Sequence, residues 1–343
     1  MISRARVATP ARTNTLKSAE LLKKKVYNNW KVTTMNKMMN EPQPLNIIAY
    51  TDGTHKSVDA VRSAMRLARA AKAELDIIHV ADAPIDPSNL PQPGIPVPRA
   101  EWGSLHSCLR HLAIDVISWL AAESFTQTPE AVICKHEGPD LYRLNLDTGK
   151  PVRLWLSYDE PNIALEKLVK KYNADLVVIR GEETGILKRI LGKSVAEVAA
   201  LKLPASILVV RSPVYPDTPF VVASDGSESS RRAFGILRKL MPAIRKPIDI
   251  ILKEGIDGSA IEDWLKESGK KGETLRLDEI GAGLSPLRQL LFSMQPGHVL
   301  VVGASMRSYL LRFLQGSVPL SLVRRAPFSV LVSKEIPGLE EDY

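Results

Sequence analysis

The chain has 343 residues, 45% of them hydrophobic and 24% charged, a globular composition whose length suits two domains at ~100–200 residues each. Its net charge of +8 lies entirely in residues 1–40, which hold nine basic residues and Glu20. Residues 41–343 balance 37 basic against 37 acidic residues, which disfavours nucleic-acid binding by the folded body. Two cysteines, Cys108 and Cys134, exclude a disulfide framework or a cysteine-rich zinc module, and no apolar run approaches the length of a membrane-spanning helix.

Residues 1–44 read as a basic, disordered extension. Residues 1–22 contain Arg, Ser and Thr and are acid-poor, as transit peptides are. The plainer reading is an unstructured segment, or a start codon upstream of Met35, Met38 and Met39. The first strong element is the apolar run Leu45–Tyr50, ended by Thr51-Asp52-Gly53, which reads as a buried strand. Val58, Val61, Ala64, Met65, Ala68 and Ala71 then recur at helical spacing, and Leu75–Val80 is a second apolar run. Strand, helix and strand at this spacing predict a βαβ unit and a parallel sheet.

Six prolines between Pro84 and Pro98 mark a loop of polyproline character. A helix is expected over about Ser104–Ser124, strands at Ala131–Cys134 and Val152–Leu156, and a short helix at Ile163–Lys171. Asp175–Ile179 reads as a buried strand, Val195–Leu201 as a helix and Ser206–Val210 as a last strand, followed by a proline-containing linker over 211–219.

The pattern then restarts. Phe220–Ala223 leads into Asp225-Gly226-Ser227 as the first strand leads into Asp52-Gly53-Thr54, 173 positions earlier. Pro204 and Pro327 open matching segments 123 positions apart, and the same offset pairs Ser194 with Ser317. The chain therefore reads as an internal duplication, residues 45–211 and 217–335, with 50 more residues in the first copy.

Ligands of parallel α/β sheets bind beyond the carboxyl ends of the strands. Two segments per copy qualify: the loop after the first strand and the segment after the fourth. In the second copy the latter runs Val299–Val318. A glycine directly after a strand permits close backbone approach to a phosphate. A later Gly-Ser opening a helix offers free N–H groups and a hydroxyl. Arg307 and Arg312 add charge.

These residues resemble the universal stress protein family in its tandem, two-domain form. The family's nucleotide-binding members carry an aspartate after strand one and G-x2-G-x9-G-[ST] after strand four. Here Gly303, Met306, Gly316 and Ser317 occupy the second pattern, with Met306 replacing a glycine, and Asp225 stands at the aspartate. Lys253 stands where the first copy has Val80, at a position whose backbone meets the adenine in the family. In the first copy Arg180, Glu183 and Lys193 fall on the glycine positions and only Ser194 survives. A slip of one residue would restore Gly181 at the cost of the spacing to Ser194. Asp52, Gly53, Thr54 and Ser194 therefore read as a degenerate site.

The resemblance implies two Rossmann-like α/β domains, each a five-stranded parallel sheet with flanking helices. It implies that they pack as an intramolecular pseudo-dimer, itself open to further dimerisation, through their last strands at Ile207–Val210 and Ser329–Ser333. It implies a cytoplasmic stress-response regulator that binds ATP or AMP in the second copy, with no metal beyond nucleotide-associated magnesium. Asp225, Gly226 and Ser227 would face the base or ribose. Gly303, Ala304, Ser305 and Arg307 would line the phosphates, and Gly316 and Ser317 would take phosphate oxygens at a helix start.

Other readings compete with these residues. Gly192-Lys193-Ser194 lacks the upstream glycine of a P-loop, since position 187 is Leu187. His106, Cys108 and His111, and separately Cys134 with His136, match no zinc spacing. His79, inside an apolar strand, reads as a core histidine. Ser227 is also a natural helix cap. No nucleophile elbow, HExxH or spaced carboxylate pair suggests catalysis. A nucleotide-free scaffold, binding unknown protein partners through the proline-rich loop, is the main alternative. A weak ATPase ranks last.

Overall fold

In a computed structural model the described residues are 45–52, 56–80, 96–97, 107–124, 133–138, 141–145, 150–181, 195–224, 228–252, 263, 265, 274–276, 294–303 and 326–333. Strand β1 (Asn46–Thr51) leads to helix α1 (Val58–Ala71) and strand β2 (Glu74–Val80). Then come β3 (Pro96–Val97), α2 (Ser107–Ala122), β4 (Ile133–Gly138), β5 (Leu141–Asn145), β6 (Val152–Ser157), α3 (Pro161–Tyr172), β7 (Leu176–Arg180), α4 (Val195–Lys202) and β8 (Ser206–Val210). The remainder is β9 (Phe220–Ser224), α5 (Glu228–Leu240), a 3-10 turn at Met241–Ala243, β10 (Ile248–Leu252), β11 (Thr274–Arg276), β12 (Val299–Gly303) and β13 (Ser329–Ser333).

The thirteen strands among the described residues belong to one sheet, in the order β11-β10-β9-β12-β13-β8-β7-β1-β2-β6-β5-β4-β3. Strands β6-β2-β1-β7-β8 are mutually parallel, and so are β11-β10-β9-β12-β13. Each half thus repeats one order: third, second, first, fourth, fifth. The halves meet at β8 and β13, which pair antiparallel with Leu331 opposite Leu208 and Val332 opposite Ile207. The two last strands expected to touch do so by backbone hydrogen bonding, which leaves neither as an open edge.

Side chains alternate between two cores because successive strand residues point to opposite faces. Ile47, Ala49, Leu75 and Ile77 share a buried cluster with α1 and, in the other half, with Val222, Ile250 and Leu237. Ile48, Tyr50, Ile78, Val177 and Ile179 share the opposite cluster with α3, Leu300 and Val330. Both cores run across the join. Helix α1 presents Val61, Ala64, Met65 and Ala68 to the first of these cores. It ends at Lys72, whose left-handed conformation (φ 53°) stops the helix, with its N–H bonded to the Arg69 carbonyl at 3.2 Å. Helix α3 starts on Pro161, whose fixed φ and missing N–H suit a first turn, and stops at Asn173 (φ 47°).

The structure departs from expectation in two places. The first half carries additional antiparallel strands, β5 against β6 and β4 against β5, and β4 begins and ends later than the expected Ala131–Cys134. Strand β5 alternates buried Tyr142 and Leu144 with half-buried neighbours, so only one face is packed and its apolar signal is weak. The segment 211–219 is also more than a linker. Val214 is buried, its N–H bonds the Ser63 Oγ at 2.9 Å, and its carbonyl accepts from Arg66 at 3.2 Å. The connection is strapped along α1.

One buried charge fixes the β2–β6 register. Asp76, 1% exposed, accepts from Arg153 Nε at 2.6 Å, Arg153 Nη2 at 2.8 Å and Trp155 Nε1 at 2.8 Å. Burial works to lower the Arg153 pKa, but its bonds to Asp76 outweigh that and raise it above the usual arginine value. A one-residue slip would break all three contacts and strand the carboxylate in the core.

Candidate functional site

In the second half, the described edge of the candidate site is formed by four strand ends. Ser224 closes β9 and lies opposite Leu252, the last residue of β10. Gly303 closes β12 opposite Ser333, the last residue of β13. Strands β9 and β12 are neighbours, with Val302 opposite Ala223. The segments that begin with Asp225 and Ala304 therefore leave adjacent strands at the same edge. Between the first and fourth strands of such a sheet, the crevice beyond the carboxyl ends is where ligands bind. Gly303 is buried, and it carries no side chain of its own to stand between its backbone and a ligand. Beside it the Ser333 hydroxyl is buried and, among the described residues, has no hydrogen-bond partner. An orphaned buried hydroxyl next to a strand-ending glycine is compatible with a polar ligand there.

Of the predicted residues, Gly303 and Asp52 are placed. Asp225, Gly226, Ser227, Ala304, Ser305, Arg307, Gly316, Ser317, Gly53, Thr54 and Ser194 lie outside the described residues.

In the first half, side chains occupy the corresponding edge. Thr51 Oγ1 and Ser57 Oγ are 2.7 Å apart and buried, which joins the end of β1 to the start of α1. The Ser57 hydroxyl thus goes to the strand instead of capping the helix, although its carbonyl accepts from the Ala60 N–H at 3.1 Å. His79 is 9% exposed, and its Nδ1 lies 3.2 Å from the Thr51 carbonyl oxygen, so it is the satisfied core histidine its position suggested. Asp52 is exposed at the end of β1. Arg180 ends β7, and its Nη1 reaches Asp59 Oδ2 in the first turn of α1 at 3.1 Å. Gly181 follows, with its N–H on the Val210 carbonyl at 2.8 Å. A Cβ on Gly181 would sit 2.5 Å from Arg211 Nε, so the Arg211 side chain covers that backbone. In either alignment the place of the family's first glycine is filled, by the Arg180 ion pair or by Arg211.

Cys134 and His136 lie on β4, opposite Leu144 and Tyr142. Among the described residues no group of three or more histidine, cysteine, aspartate or glutamate side chains is arranged to hold a metal ion. No helix among them is long and apolar enough to cross a membrane. A group that sequence reasoning did not single out is the arginine cluster on α1 with Glu123 and Tyr215. The spacing of Arg62, Arg66 and Arg69 on one helix face was the available signal.

Comparison with known proteins fits this geometry. The profile of the universal stress protein family matches residues 45–211. A functionally unknown protein from Pseudomonas aeruginosa PAO1 superposes with a TM-score of 0.51 at 13% identity, covering 88% of this chain and 95% of that one. A universal stress protein from Archaeoglobus fulgidus DSM 4304 gives 0.49 at 16% identity, over 86% and 97%. A universal stress protein solved in complex with cAMP gives 0.31 at 20% identity, over 49% and 96%. No curated protein sequence matches the chain significantly. Over residues 45–211, just under half of its length, the chain matches the universal stress protein family.

Proposed function

We propose that the chain is a tandem universal stress protein that binds an adenine nucleotide, ATP or AMP, in its second copy and acts as a nucleotide-gated regulator in the cytoplasm. The observation that carries this reading is that Ser224 and Gly303 end adjacent strands, just past the Ala223–Val302 pair. It brings the starts of the two loops that hold Asp225 and the spaced Gly303…Gly316-Ser317 to one edge. Asp225, Gly226 and Ser227 face the base or ribose. The backbone of Gly303, Ala304 and Ser305 takes the phosphates, with Arg307 adding charge and Gly316 and Ser317 binding phosphate oxygens. The nucleotide supplies its own phosphate charge and any magnesium it carries. The protein contributes backbone donors, a hydroxyl and positive charge, and no residue is assigned a catalytic role.

Titration of the full chain with labelled ATP tests this. Saturable binding in the micromolar range is expected, and its loss in Gly316→Asp places it. No saturable binding below about 1 mM would contradict it.

A nucleotide-free scaffold is the second reading. The filled edge of the first half favours it: the Arg180–Asp59 ion pair and Arg211 over Gly181 leave that copy side chains where the pattern needs glycines.

A further inference from the structure

We propose that the groove between α1, the 211–219 connection and the start of the second half is a binding site for a small, multiply charged phosphate compound. It is separate from the nucleotide site proposed above and independent of it. The groove is open to solvent and measures about 550 Å3, within the range of metabolite clefts, and its lining includes Arg62, Arg66, Arg69, Arg245, Glu123 and Tyr215.

The sequence places Arg62, Arg66 and Arg69 on one face of α1, at spacings of four and three. Like charges at these spacings destabilise a helix, so the stripe works against α1 unless anions meet it. One anion is present. Glu123, just past α2, accepts from Arg62 Nε at 2.8 Å, from Arg66 Nε at 2.8 Å and from Arg66 Nη2 at 2.7 Å. Burial works to raise the Glu123 pKa, but the hydrogen bonds from Arg66 and Arg62 outweigh it and hold the carboxyl below its usual value. Glu123 is therefore a fixed single negative charge.

It matches one of four guanidinium groups. Arg66 is saturated: its Nη1 bonds the Val214 carbonyl at 3.2 Å, and its guanidinium lies 4.2 Å over the Tyr215 ring. Arg69 spends Nη1 on the Glu123 carbonyl oxygen at 2.7 Å, and the structure shows its Nε and Nη2 without a partner among the described residues. Arg245 is exposed, and its backbone N–H is fixed on the Pro216 carbonyl at 2.7 Å. Among the described residues its guanidinium has no carboxylate partner. Among the described residues that line the groove, three positive charges are thus left over, with the forked donors of Arg69 and Arg245 at its rim. Arginine forks recognise phosphate by paired, charge-assisted hydrogen bonds, and several such groups select a ligand with two or more negative charges.

Pyrophosphate is the probe, titrated calorimetrically into the full-length protein at low salt. We expect saturable binding that weakens as sodium chloride rises. Arg69→Gln/Arg245→Gln removes two guanidinium charges without touching the Glu123 carboxylate and is expected to weaken binding about tenfold or more. Gly316→Asp is expected to leave it unchanged, which separates this site from the nucleotide loop. Hydrogen exchange on the wild type needs no variant. Bound pyrophosphate is expected to protect amides within 62–69 and 214–218. Absence of saturable binding up to about 10 mM would overturn the proposal. So would binding that survives the arginine double variant, or protection confined to 303–317.

Discussion

The carboxyl edges of the two sheet halves are built on one strand order and finished differently. At the end of β12 the chain closes on Gly303 beside a buried Ser333 hydroxyl that has no hydrogen-bond partner among the described residues. At the end of β7 it closes on Arg180, held by Asp59, and the following Gly181 lies under Arg211. The strands themselves differ little: both are short apolar runs buried on two faces. A repeated strand order can thus keep its cores and its strand pairing while side chains fill one edge, because the edge residues contribute little to burial.

The largest expected effect comes from converting one edge into the other. Gly303→Arg copies the first half onto the second and is expected to reduce ATP binding about 100-fold or more, read by labelled-nucleotide titration, with circular dichroism confirming the fold. Unchanged affinity would show that the glycine is not where the ligand approaches.

A second contrast lies within the second strands. Asp76 and Asp249 occupy matching places in LDIIHV and IDIILK, but Asp76 is 1% exposed and locked by Arg153, whereas Asp249 is half-buried. Asp76→Ala leaves the partly buried Arg153 with only the more exposed Glu74 carboxylate, 3.1 Å away, removes the acceptor of Trp155 Nε1, and is expected to cost about 3 kcal/mol in chemical denaturation. Asp249→Ala is expected to cost less than about 1 kcal/mol. Equal losses would mean that the Asp76 network does not set the register.

Acid sensitivity separates the halves further. Glu123 belongs to the first, and its folded pKa is depressed by Arg66 and Arg62. The stability it contributes is present above its unfolded pKa of about 4.3 and is lost as pH falls through the lower folded value. Glu123→Gln is therefore expected to lower stability at neutral pH and to flatten its decline below about pH 4.5, measured by denaturation across pH. A parallel decline in both proteins would contradict the assignment.

The smallest effect is at the Arg180–Asp59 pair. Its side chains are 20% and 38% exposed, so Arg180→Ala is expected to change stability by at most about 1 kcal/mol. A nucleotide site regained on its removal would show that this side chain alone closes the first edge.

How much of this was legible in the sequence follows from where the apolar signal is strong. Strands β1, β2, β7, β8, β9, β12 and β13 are buried on both faces and read as continuous apolar runs. Strand β5 shows its core on one face only, with Arg143 between Tyr142 and Leu144, and gave no run to read. The Asp76–Arg153–Trp155 contacts and the grip of Glu123 on α1 join residues more than fifty positions apart, which no local pattern encodes. At the site, the spacing of Gly303 to Gly316 and Ser317 was readable, while the filling of the first edge by Arg211 depends on how β7 and β8 lie side by side.

The central claim is that the second half, and not the first, holds a nucleotide. Mass spectrometry of the small molecules released when the purified protein is denatured tests it most directly, on wild type and on Gly316→Asp. Stoichiometric ATP, ADP or AMP from the wild type and none from the variant is the predicted result. An empty wild type whose melting temperature does not move in millimolar ATP would contradict it.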